Sequence, residues 1–254
     1  MEFAPIVPIK YHPADVTKYH LILAHQVVKS LQYRNYYCSL PKDHSIILDN
    51  SVIELGYTDT AMIVEALEFL NEFQGRMIVV CPDVLRDRAA TVKAHREFMN
   101  DNNIADILGR NGHHVMVVPQ GSDSNDWAHC LDELDSKLIG SFTYVGIPRL
   151  TEDFEGGRLG LYNNNIAALQ GYRVHLLGVQ HTLNEIEWAK EHPDIVGCDS
   201  SLPLRAAYAG ISCEQVVDLR TLPDPDKYEQ SMYQPVRHRI KECHDFVSND
   251  KDSG

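Results

Sequence analysis

A chain of 254 residues with 36 Asp and Glu against 23 Lys and Arg has a formal net charge of −13, which excludes a broad, non-specific grip on a polyanion while leaving room for a local basic groove. With 44% hydrophobic residues there is material for one large core, yet no apolar run approaches the roughly 18–20 residues that cross a bilayer. The opening Met-Glu-Phe-Ala-Pro lacks the basic and apolar blocks of a secretory signal, so a cytoplasmic protein is expected.

Residues 1–16 are Pro-rich and read as an irregular lead-in along the bottom or side of a domain. The first buried run is 19–24. Residues 26–44 mix polar and aromatic positions, with Tyr33, Tyr36 and Tyr37 around Arg34. From there the pattern is regular. It predicts a strand at 45–48, a helix over 60–73, a strand at 77–80, a helix over 87–100, a strand at 114–118 and a helix over 125–137. Strands follow at 142–146 and 173–177, flanking a helix at 162–170. A helix at 183–191, a strand at 194–198, a helix from 204 and a weak last strand at 215–218 complete the series.

These are about eight near-continuous Val/Ile/Leu runs alternating with amphipathic helices. Runs apolar on both faces belong to strands covered on both sides, hence to a parallel sheet. Eight such units predict an α/β fold, a (β/α)8 TIM barrel filling 1–244 as a single domain. The polar, acidic segment 245–254 reads as a disordered tail. No Gly-x-Gly-x-x-Gly follows the early strands and no Gly-x-x-x-x-Gly-Lys occurs, which argues against a dinucleotide fold and a P-loop. The six cysteines, Cys38, Cys81, Cys130, Cys198, Cys213 and Cys243, show no Cys-x-x-Cys spacing. They read as free thiols, with Cys81 and Cys198 packing at strand ends.

In such a barrel the residues just past each strand share one rim. Here they are Asp49, Asp83, Gln120 with Gly121, Gly146, Gly178 and Asp199. Each has a plain structural reading: Asp49 can open an Asx-turn, Asp83 and Asp199 can cap the helices that follow, and the glycines can serve ordinary turns. Together they crowd like charges on one rim, which costs stability unless a ligand or partners use them. The residues alone leave both readings open. No His-x-His or His-Glu-x-x-His occurs, and His113-His114 precedes a strand at the opposite end, so neither a metal nor a cofactor is expected. Ser200 lacks a Gly-x-Ser-x-Gly setting. Two or three aspartates around a small pocket suit chemistry at an anomeric carbon, one carboxylate meeting the oxocarbenium-like centre while another moves a proton. A carboxamide beside them suits the edge of a planar heterocycle.

Over residues 45–207 these motifs resemble the tRNA-guanine transglycosylase superfamily, and more closely its short phage and bacterial branch, the DNA 7-deazaguanine transglycosylases. The family's Asp-Ser-Gly-Gly is matched by Asp49-Asn50-Ser51-Val52, which keeps the Asp and loses the glycines. Its second acidic strand end is matched by Val80-Cys81-Pro82-Asp83, and its Val-Gln-Gly by Val118-Pro119-Gln120-Gly121. Its Ile-Gly-Gly-Leu is matched loosely by Val145-Gly146-Ile147-Pro148-Arg149-Leu150, and its His-Tyr-Leu-Met-Gly-Val by His175-Leu176-Leu177-Gly178-Val179. Its nucleophile motif, Asp-x-x-x-Pro-x-Arg, is present from Asp199 to Arg205.

The resemblance implies base exchange. Asp199 would attack C1′ of a guanosine nucleotide, and a 7-deazaguanine base such as preQ0 would replace guanine. Asp49 would be the general acid/base. Asp83 and Gln120 would read the base edge, Gly146 would add a backbone contact, and Gly121, His175, Gly178 and Arg205 would join the substrate-binding set. Arg86, Arg149 and Arg205 are the candidate phosphate contacts. The basic cluster from Arg237 to Lys241 is a further candidate, its plain reading being a solvated helix face. The Cys-x-Cys-x-x-Cys…His zinc module of the tRNA enzymes has no counterpart in this sequence, so no zinc subdomain is expected and DNA is favoured over tRNA as the polymer. Alternatives are an N-glycosidase that hydrolyses the same intermediate and a non-catalytic barrel that binds a purine or a protein partner.

Overall fold

The structure, a computed structural model, describes residues 1–6, 16–110, 113–137, 143–179, 182–222 and 233–248. Its strands are β1 (Glu2–Pro5), β2 (Tyr19–Leu23), β3 (Ser45–Asp49), β4 (Arg76–Val80), β5 (His114–Val117), β6 (Tyr144–Pro148), β7 (Arg173–Leu177) and β8 (Ile195–Ser200). They form one sheet in the order β1-β8-β7-β6-β5-β4-β3-β2. The pairs β1/β8, β3/β4, β4/β5 and β5/β6 all run parallel. With helices α1 (Ala24–Lys29), α2 (Leu31–Cys38), α3 (Val52–Leu55), α4 (Thr60–Phe69), α5 (Arg88–Met99), α6 (Asn102–Arg110), α7 (Ser124–Lys137), α8 (Gly157–Asn164), α9 (Ile166–Leu169), α10 (Thr182–Lys190), α11 (Leu202–Ala209) and α12 (Tyr233–Ser248) among the described residues, this is a nearly closed (β/α)8 TIM barrel. No helix among the described residues is long and apolar enough to cross a membrane.

The chain divides into two compact units, Met1–Leu21 with His175–Gly254, and Ile22–Val174. In the second, β3 and β4 align Ser45 with Arg76 through Leu48 with Val79. Ile46, Ile47, Leu48, Met77, Ile78 and Val79 are all fully buried. Such doubly covered strands read as unbroken apolar runs. Helix α4 (Thr60–Phe69) buries Ile63, Ala66 and Leu67, and Leu70 just beyond it, at helical spacing. It starts at Asp59, whose side chain accepts from the Met62 N–H. Helix α5 (Arg88–Met99) is capped the same way by Asp87, which accepts from the Ala90 N–H. Asp123 accepts from both Asn125 and Asp126 N–H groups at the start of α7 (Ser124–Lys137).

In the first unit, β1 pairs with β8, Ala4 opposite Asp199. Helix α11 (Leu202–Ala209) carries Pro203 in its first turn and ends at Gly210, whose φ of 71° supplies the left-handed cap. Helix α12 (Tyr233–Ser248) lays Val236 and Ile240 against Leu204 and Ala207 of α11.

Seven of the eight predicted strands are present. The eighth is β1, not 215–218. Glu2–Pro5 is a strand within the stretch read as irregular: Phe3 and Ala4 are buried, and the ladder partner is β8. Pairing supplied by a distant segment thus overrides weak local propensity. Around 215–218 the chain instead makes two 3-10 turns, Cys213–Gln215 and Leu219–Thr221, the second capped by Asp218 through the Arg220 N–H. Val216 is buried while Val217 is 85% exposed, so only one of the two valines reaches a core. Part of the predicted tail is helical instead. Helix α12 continues through Asp245 to Ser248 with Val247 buried, and residues 249–254 lie outside the described residues.

Candidate functional site

Two polar clusters lie at the carboxyl ends of strands, one in each unit. In the second unit, β3, β4 and β5 are consecutive in the sheet. Each feeds a polar residue to the chain beyond its last residues: Asp49 and Asn50, then Asp83, then Gln120. Asp83 is 3% exposed, and both its oxygens are held. Asn50 Nδ2 donates to Oδ1 at 2.5 Å and Gln120 Nε2 donates to Oδ2 at 2.5 Å. Asn50 Nδ2 also donates to the Cys81 carbonyl at 2.8 Å, and Asn50 Oδ1 accepts from the Val52 N–H at 3.1 Å. Gln120 Oε1 accepts from the Arg86 N–H at 3.1 Å, so the orientation of that amide is fixed at both ends. Burial pushes the Asp83 carboxyl up to about 6, against the opposing pull of the two amide donors. A carboxyl poised near neutrality, gripped by two amides, can accept or yield a proton as its surroundings change.

Asp49 makes the Asx-turn that its plain reading foresaw: Oδ1 accepts from the Ser51 N–H at 2.7 Å. Ser51 takes φ 64°, the left-handed conformation that glycine adopts freely. Asn50 is the member that sequence reading did not count in the site. Its signal was its place directly after a strand-end aspartate, where the β3/β4 register, Leu48 opposite Val79, carries it alongside Cys81 and within reach of Asp83.

In the first unit, Asp199 on β8 is 2% exposed. His175 Nε2 lies 2.9 Å from its Oδ1, and the Gly178 N–H donates to its Oδ2 at 2.9 Å. Nδ1 of the same ring lies 3.1 Å from the Tyr19 hydroxyl. With Asp199 ionised, the contact to Oδ1 requires the proton on Nε2, and a neutral ring then accepts from Tyr19 at Nδ1. The backbone is shaped for this chain of bonds. A Cβ on Gly197 would stand 3.0 Å from His175 Nδ1 and 3.0 Å from Tyr19 Cε1, so a side chain there would push on both rings by a few tenths of an ångström. Gly197→Ala is therefore expected to cost about 1–3 kcal/mol, seen as a lower urea midpoint at unchanged slope. A silent substitution would mean that Tyr19 and His175 do not pack across that residue.

Asp199 does not cap α11. Its oxygens go to His175 and Gly178, while Ser200 Oγ accepts from the Leu202 N–H at 3.0 Å and donates to the Val179 carbonyl at 2.8 Å.

Other expected contacts fall elsewhere. His175 is fully buried with both ring nitrogens engaged inside the protein, so it supports Asp199 and is not placed to line a pocket. Gly121 is a packing glycine: a Cβ there would stand 2.4 Å from Trp127 N, in the first turn of α7. Gly146 lies inside β6, two residues before its end, because the strand runs two positions later than its apolar run suggested. Arg205 Nη1 donates to the Leu219 carbonyl at 2.9 Å and fastens the 3-10 turn there. Arg86, at φ 62°, pairs its guanidinium with Asp153. Arg149 opens the 3-10 helix Arg149–Asp153 that follows β6. On α12, His238 and Lys241 are exposed and Arg239 pairs with Glu242 at 2.7 Å, the solvated face of the plain reading. Among the described residues no group of three or more His, Cys, Asp or Glu side chains is placed to hold a metal ion.

No family model matches the chain, and no curated protein matches it. Among solved structures it is similar to a chain described as a "putative fructose-1,6-biphosphate aldolase" from Coccidioides immitis. The TM-score is 0.57 at 10% identity, over 99% of this chain and 90% of that one. A likeness of that degree concerns the barrel alone.

Proposed function

We propose that the chain is an enzyme, a transglycosylase that exchanges guanine in a polynucleotide, DNA before tRNA, for a 7-deazaguanine base. The observation that carries this reading is Asp199, a buried carboxylate at the carboxyl end of a barrel strand, aimed by Gly178 and His175 instead of capping a helix. A carboxylate has about four lone-pair directions, and the two bonds to Asp199 leave others for attack. In the first step an Asp199 oxygen bonds to C1′ as the bond to the guanine nitrogen breaks, and Asp49, protonated, gives its proton to the departing base. In the second, Asp49 takes the ring N–H proton of the incoming base, whose nitrogen bonds to C1′ and displaces Asp199. Asp83 and Gln120 form the hydrogen-bonding pair suited to a purine edge, with Asn50 holding Asp83 in place.

One observation favours a second reading. The net charge is −13, and two of the candidate polymer-binding arginines, Arg86 and Arg205, are bonded within the protein. A nucleoside N-glycosidase, in which water resolves the Asp199 intermediate, needs no phosphate groove. Incubation with labelled guanine and DNA, tRNA or free nucleosides separates the two. Exchange puts label into polymer. Cleavage of free nucleosides with no label in either polymer would replace the first reading by the second.

A further inference from the structure

Cys213 and Cys243 are 30 positions apart in sequence, and their sulfurs stand 2.7 Å from each other in the first unit. The contact is a thiol hydrogen bond, Cys243 Sγ donating to Cys213 Sγ, between two free cysteines. Both residues are fully buried. Cys213 opens the 3-10 turn after α11, and Cys243 lies on α12 on the same buried face as Val236, Ile240 and Val247. Polar bonds hold the two elements in register around the sulfurs. The Cys213 N–H donates to Glu242 Oε1 at 3.1 Å, Cys213 Sγ faces the Arg239 carbonyl at 3.7 Å, and Arg239 pairs with Glu242. The other thiols do different work: Cys38 donates to the Phe69 carbonyl, and Cys130 accepts from the Gln120 N–H.

We propose that Cys213 and Cys243 are a covalent-modification site, a reversible intramolecular disulfide made by exchange with a small-molecule disulfide, which staples α12 to the turn behind α11. In the first exchange one protein sulfur, as thiolate, attacks a sulfur of the reagent and expels one small thiolate, which takes up the proton released. The second protein thiolate then attacks the mixed disulfide at the protein sulfur and expels the other. Two protein thiols are oxidised and one small disulfide is reduced to two thiols. Burial, followed by the neighbouring Cys213 thiol, holds the Cys243 thiol well above its ordinary range. Cys243 is therefore held as the thiol and slow to react, and the first attack waits on α12 lifting from the turn.

The site stands apart from the proposed base exchange, and its test needs no activity. The full chain is incubated with oxidised glutathione in sub-denaturing urea, so that access does not limit the reaction, then alkylated, digested and weighed. A single linked peptide joining Cys213 to Cys243, released by dithiothreitol, is expected. The oxidised chain should melt roughly 5–10 °C higher after urea is removed, and Cys213→Ser should abolish both the link and the rise. Recovery of all six thiols as alkylated residues, or a link made instead through Cys198, would overturn the proposal. So would a bridge that forms without raising the melting temperature, since α12 would then not be held by it.

Discussion

Asp199→Asn is expected to lower turnover by roughly three orders of magnitude or more while the fold survives. The reason lies in how Asp199 is bonded. An amide oxygen can still accept from the Gly178 N–H, as the carboxylate does at 2.9 Å. The amide N–H₂ would then face His175 Nε2, which must become an acceptor. It can do so by moving the ring proton to Nδ1, where the Tyr19 hydroxyl can turn to accept it. The chain of bonds reverses direction, but the negative charge that the proposed attack on C1′ requires is gone. Single-turnover kinetics and the urea midpoint check the two parts of this expectation. Undiminished turnover would demote Asp199 to a structural residue. Asp199→Ala makes the contrast, because it strands the Gly178 N–H and the His175 ring at a buried position and should destabilise by about 2–5 kcal/mol.

The second large effect is expected at Asp83. Its oxygens accept from two amides, and the Gln120 amide cannot turn around because its other end accepts from the Arg86 N–H. Asp83→Asn replaces one acceptor by a donor aimed at a donor, and a cost of about 2–4 kcal/mol follows. That cost should depend on pH. The carboxyl moves from 3.8 to about 6 on folding, so the native state binds more protons between those values. The stabilising contribution is complete below the lower value and is lost as pH rises through the upper one, a change of about 3 kcal/mol. The substituted chain has no such titration. Its deficit relative to the parent should be largest near pH 4 and shrink towards pH 7, as read from urea midpoints across that range. A gap that widens with pH would show that Asp83 is ionised throughout.

Strands buried on both faces were legible because their apolar runs are unbroken, as at Ile46-Ile47-Leu48 and Met77-Ile78-Val79-Val80. Strand β1 was not, since Phe3 and Ala4 beside a proline are too short a signal and their partner lies nearly two hundred residues on. The 215–218 stretch failed for the opposite reason: two valines resemble a strand until Asp218 turns the chain. In the site, Asp83 and Gln120 could be read because each lies just three residues past a strand end. The role of His175 could not. Its orientation depends on Tyr19, 156 positions away, and on the absence of a side chain at Gly197.

The seating of Gly121 has a consequence of its own. With the backbone of α7 so near that no added carbon fits, the peptide after Gln120 has nowhere to swing, and the amide it presents is mounted on an unyielding wall. In the proposed base exchange, a ring meeting that amide would be sorted by shape on arrival.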